Sequence, residues 1–73
     1  PATMIKFSVP EASQVTMKIY DILGKELFVL LNSKMQSGSY EVSFNASQLP
    51  SGVYFYKMEA GRFSETKKMM LIK

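Results

Sequence analysis

The chain contains no cysteine and no histidine. Without cysteine, no disulfide can staple the fold and no thiolate is available to hold a metal. Without histidine, the commonest general base and the commonest transition-metal ligand are both missing. The lack of cysteine leaves the compartment open, because disulfides favour oxidising places without being required there. Long hydrophobic runs are missing too. The longest, "LFVLL" at 27–31, falls far short of the roughly 20 apolar residues of a membrane-spanning helix. The opening "PATMIKFSVPE" has neither the basic start nor the apolar stretch of a secretory signal peptide. It begins on Pro1 and not on Met, so the chain is expected to be a piece excised from a longer protein.

What is present fits one small domain. A chain of 73 residues buries only roughly 60% of its unfolded surface, so its stability margin is thin. Nine basic residues against six acidic ones give a net charge of +3, with Arg62, Lys67, Lys68 and Lys73 gathered near the end. A nucleic-acid binder would show a denser basic stripe interleaved with aromatics, so these lysines read as a solvated surface.

The dominant signal is alternation with period two, the mark of half-buried strands. Ile5, Phe7 and Val9 alternate with Lys6 and Ser8. Val15, Met17 and Ile19 alternate with Thr16, Lys18 and Tyr20, and Tyr40, Val42 and Phe44 with Glu41 and Ser43. Pro10 has no N–H to give a ladder and closes the first run. Turn chemistry separates the others: "DILGKE" with Asp21 and Gly24, "NSKMQSG" ending at Gly38, "NASQLPSG" as a longer crossing loop, and "AGR" at 60–62 as a tight hairpin. At least two of the four glycines, Gly24, Gly38, Gly52 and Gly61, are expected at positive φ.

Two segments carry ambiguous patterns. In "ELFVLLNSK", Leu27, Leu30 and Leu31 suit a helix, while Leu27, Val29 and Leu31 suit a strand. The short connections on either side decide for a strand. "GVYFYKME" is apolar on both faces and is expected to lie centrally, covered on two sides. The result is an all-β chain of six strands, seven if the 47–52 loop adds a short one, arranged as a small antiparallel β-sandwich without a long helix. The expected core is Ile5, Phe7, Val15, Met17, Ile19, Leu27, Val29, Tyr40, Val42, Phe44, Val53, Phe55 and Leu71.

No residue announces chemistry. "GKE" at 24–26 lacks the upstream glycine of a G-x-x-x-x-G-K-S/T phosphate loop. Glu11, Asp21, Glu26, Glu41, Glu59 and Glu65 are scattered singly, which proposes neither a catalytic pair nor a calcium loop. "NAS" at 45–47 fits the glycosylation triplet, a pattern that arises often by chance. The tyrosines and phenylalanines lie mainly within strands and read as core and cross-strand pairs, and the six methionines as gap fillers. No cofactor, metal, nucleic acid or membrane span is expected, and catalysis is not.

The order of the pieces says more than any one of them. "IKFSVP" at 5–10, "VTMKIYDILG" at 15–24, "GSYEVSF" at 38–44, "LPSGVYF" at 49–55 and "TKKM" at 66–69 together resemble the C-terminal sorting domain, type A, of cargo exported by the type IX (Por) secretion system of Bacteroidetes-type bacteria. Phe44 stands where many relatives carry Trp. The resemblance implies a seven-stranded immunoglobulin-like sandwich at the end of a larger cargo protein. It implies recognition by an outer-membrane translocon, removal of the domain by a sortase, and release or surface attachment of the cargo outside the cell. Gly24, Gly38, Gly52, Lys67, Lys68, Met69, Met70, Leu71, Ile72 and Lys73 are the residues it offers for recognition. Two other functions fit such a fold: an immunoglobulin-like structural module of the hook-cap type, and a carbohydrate-binding module, which needs an exposed aromatic platform.

Overall fold

The computed structural model describes residues 2–72. Six strands follow one another: β1 (Ala2–Val9), β2 (Ser13–Tyr20), β3 (Glu26–Met35), β4 (Gly38–Asn45), β5 (Gly52–Ala60) and β6 (Phe63–Leu71). All pairings are antiparallel. β1 and β4 form a two-stranded sheet, and β3-β2-β5-β6 form a four-stranded one. The molecule measures 35 × 23 × 16 Å, and the thin dimension matches two sheets about 10 Å apart. The expected β-sandwich is therefore what forms, with β5 inside its sheet as expected. Residues 46–51 stay a loop, so the sandwich has six strands among the described residues.

Each turn has a local cause. Pro10 follows β1 directly. Between β2 and β3, the Asp21 carboxylate accepts hydrogen bonds from the N–H groups of Leu23 and Lys25, both at 2.9 Å, while its carbonyl accepts the N–H of Gly24 at 3.0 Å. Gly24 then leaves the turn at φ +88°. The β5–β6 hairpin has two connecting residues, with Gly61 at φ +60° and Arg62 at negative φ, the pattern of a type II′ turn. All four glycines take positive φ, in line with the expectation of at least two. A Cβ on Gly24 would meet nothing within 4 Å, so Gly24→Ala is expected to cost about 1 kcal/mol through backbone strain alone. A thermal melt should show this as a loss of roughly 4–8 °C.

The core lies between the sheets: Ile5, Val9, Val15, Met17, Ile19, Phe44, Tyr54, Met58, Ala60 and Leu71, with Ala46 from the β4–β5 loop. Phe7, Leu27, Tyr40 and Val42 pack around it as half-buried neighbours. Three expected core residues are corrected. Val29 is 48% exposed. The reason is two irregularities in the β2–β3 ladder: Met17 opposes Leu31, but Lys18 opposes Val29, and Ile19 opposes Phe28, but Tyr20 opposes Glu26. Leu30 and Leu27 are the extra residues. Each bulge reverses the alternation, turning Val29 outward beside Lys18 and Phe28 inward against the Phe44 ring at 5.3 Å. The helical spacing of Leu27, Leu30 and Leu31 is the trace of those bulges within a strand.

Val53 and Phe55 are the other corrections. β5 pairs with β2 so that Met58 opposes Met17, Tyr56 opposes Ile19 and Ala60 opposes Val15. Directly opposed residues share a face. The clean alternation of β2 therefore assigns Tyr54, Met58 and Ala60 to the core and turns Val53 and Phe55 outward. A two-layer sandwich covers only one face of any strand, so β5 is not covered on both.

Candidate functional site

The strand register sorts the ten residues expected to take part in recognition. At one end of the sandwich lie the β2–β3 turn, the start of β5 and the end of β6, because Tyr20 opposes Phe55 and Gly52 opposes Leu71. Gly24, Gly52 and residues 69–72 thus share that end. Gly38 does not: it opens β4 opposite Val9, at the end where the β5–β6 hairpin also lies. Lys73 lies outside the described residues.

Within β6 the side chains divide by parity. Met69 opposes Tyr54 and packs against the core, and Leu71 is buried at 7% exposure. Both are structural. Lys68 opposes Phe55 and Met70 opposes Val53, which puts them on the outer face. Met70 is 63% exposed and Ile72 82%. Lys67 opposes Tyr56 on the inner side, where the two-stranded sheet does not cover it, and its Nζ lies 3.9 Å from a Glu65 carboxylate oxygen. β6 pairs only with β5, so its other edge is free among the described residues. Such an edge can accept a strand.

The sequence reading missed the surroundings of Lys68. Tyr20, Phe55 and Lys68 stand in one row across three adjacent strands, with Lys18 and Lys57 opposed in the next row. No periodicity in the sequence connects these positions, which lie far apart along the chain. On the same face, Lys18 donates to Glu26 at 3.3 Å, and that hydrogen bond holds its ammonium above the ordinary lysine value. The contribution is complete at pH below the ordinary lysine value and is lost as pH rises past the raised one.

Four of the aromatic side chains are taken up by the fold. Phe44 and Tyr54 are buried, and Tyr54 donates its hydroxyl to the Pro50 carbonyl at 2.8 Å. Phe7 and Tyr40 stack at 5.7 Å along a groove beside β6, and the Tyr40 hydroxyl is held by the Gln36 carbonyl at 2.7 Å. Charges along that groove cancel, with Lys6 opposite Glu41 and Lys67 near Glu65. Among the described residues, no three acidic side chains gather closely enough to hold a metal ion, and no helix is long and apolar enough to cross a membrane.

The family described as secretion system C-terminal sorting domain matches residues 2–73. The chain belongs to that family. It is a C-terminal sorting signal for type IX secretion, a function that needs no catalytic group. As a sorting domain it directs an N-terminal cargo to the type IX secretion machinery, for export to the cell surface or the extracellular space. No curated protein and no solved structure matches the chain.

Proposed function

We propose that the sorting domain is a single folded, non-catalytic tag of a larger exported protein, and that the translocon engages the end of the sandwich where β6 finishes. The observation that supports this best is the family match across the whole folded unit, combined with an exposed last strand whose outer side chains are free of the core. A tag of this kind needs an accessible surface on an independently stable scaffold. Gly24 and Gly52 shape that end, and Lys68, Met70 and Ile72 present themselves there, with Lys67 and Lys73 as the further members of the proposed set. Met69 and Leu71 act through the fold, by holding β6 in place. Gly38, at the other end, also acts through the fold.

In this reading the cargo crosses the periplasm before reaching the translocon. A sortase then removes the domain and supplies the only chemistry in the process, leaving the cargo released or attached at the surface. The test is a fusion of residues 1–73 to a periplasmic reporter in a type IX-competent host. The reporter is expected in the medium or on the cell surface, and a translocon-deficient strain should retain it inside. Retention in both strains would refute the proposal.

A further inference from the structure

In the folded state a partner has no access to Leu71, and Met69 is turned toward the core. The accessible parts of β6 are its outer side chains, and these are continuous with β5 and β2. Tyr20, Phe55 and Lys68 form one row; Val53 and Met70 form the row nearer the end of the strand. Apart from Met70, which is well exposed, the apolar members are half-buried. Among the described residues, neither sheet of the sandwich covers them.

Basic residues outnumber acidic ones around this apolar strip, Lys18, Lys57 and Lys68 against Glu26 and Glu59. Lys18 and Lys57 oppose each other directly, an arrangement that costs stability in a sheet. Glu26 offsets Lys18. Neither Lys57 nor Lys68 has a carboxylate within ion-pair distance among the described residues. Glu59 shares the face but stands a row further toward the hairpin, opposite Thr16 and Ser64. Two other surfaces lack this pairing of apolar strip and basic excess. The outer side of the β1–β4 sheet sets Lys6 against Glu41 and Ser8 against Ser39, and the groove beside β6 is charge-balanced.

Building on the sorting function, we propose that the outer face of β2, β5 and β6 is the docking surface, and that it takes an acidic, partly apolar surface of a protein of the secretion machinery. Phe55, Val53 and Met70 supply the apolar centre, since aromatic and Met side chains are enriched in protein interfaces. Lys57 and Lys68 supply the charged rim, which sets orientation and association rate. A half-buried aromatic between lysines suits a protein surface better than a base, which needs a free ring to stack on.

The test uses the cargo fused to residues 1–73 in a type IX-competent host. Lys57→Glu with Lys68→Glu, and separately Phe55→Thr, are expected to lower export at least tenfold while the purified domain melts within a few degrees of wild type. Lys57→Gln with Lys68→Gln gives a milder variant, expected to lower export in part and free of any folding defect that charge reversal brings. Lys34→Glu with Arg62→Glu makes the same change in net charge at the opposite end of the molecule and is expected to export normally. Wild-type export from the reversed-charge and Phe55 variants, or an equal loss in the Lys34 and Arg62 control, overturns the docking face while leaving the sorting function intact. Failure of the wild-type fusion itself would instead count against the sorting function. Co-sedimentation of the purified domain with phosphatidylglycerol vesicles supplies the last arm. Binding that Lys57→Glu with Lys68→Glu abolishes would assign the face to anionic lipid and overturn the protein partner, and absence of binding supports it.

Discussion

A domain truncated after Lys68 is expected to lose its cooperative melting transition and the export of its cargo together. The truncation removes Leu71, buried opposite Gly52, and Met69, packed opposite Tyr54. Burying such a side chain is worth roughly 1.5–3 kcal/mol. The loss also strips the ladder from the first three residues of β5, leaving Gly52 to Tyr54 unpaired over the core. Folded domains have only about 5–15 kcal/mol of stability, and one this small sits towards the lower end. Circular dichroism during heating measures the effect. A sharp transition within about 5 °C of the full chain would show that the end of β6 is dispensable to the fold. The companion variant changes Lys67, Lys68 and Lys73 to Gln. It is expected to melt within a few degrees of wild type, because exposed ion pairs such as the 3.9 Å contact of Lys67 with Glu65 contribute about 0–1 kcal/mol. Comparing the two separates loss of the strand from loss of its charges.

Phe44→Ala is expected to cost about 3–5 kcal/mol, enough to leave a large unfolded population. Phe44 is 1% exposed and meets the Phe28 ring at 5.3 Å, so truncation leaves a cavity at the centre of the sandwich. Val29→Ala provides the contrast. Its side chain is 48% exposed and faces outward beside Lys18, and the expected cost is under about 1 kcal/mol. Urea unfolding of the two variants gives both numbers. A Val29 cost close to that of Phe44 would contradict the bulges in the β2–β3 ladder.

Most of the sandwich is legible in the residues. β1, β2 and β4 alternate so regularly that their inward faces follow from the sequence, and Ile5, Val15, Met17, Ile19 and Phe44 are all buried as the alternation requires. Asp21 with Gly24, and Gly61 ahead of Arg62, specify their turns by local chemistry. The family pattern is legible for the same reason: it is written in these strands and turns. The recognition set is harder to read. As a run of sequence, 67–72 looks like one continuous feature, yet strand geometry sends alternate residues to opposite faces and commits Met69 and Leu71 to packing.

The sequence by itself determined that this chain is all-β, where its turns fall, and which face of its regular strands is apolar, because those properties arise between residues a few positions apart. Tertiary structure alone decided the face of β5, since Val53 and Phe55 are as apolar as Tyr54 and Met58 and only pairing with β2 breaks the tie. It alone decided the phase of β3, where two bulges follow from fitting a longer strand to β2. It also brought Tyr20, Phe55 and Lys68 into one row, since hydrogen-bonded register across three strands is a long-range property that no local pattern encodes.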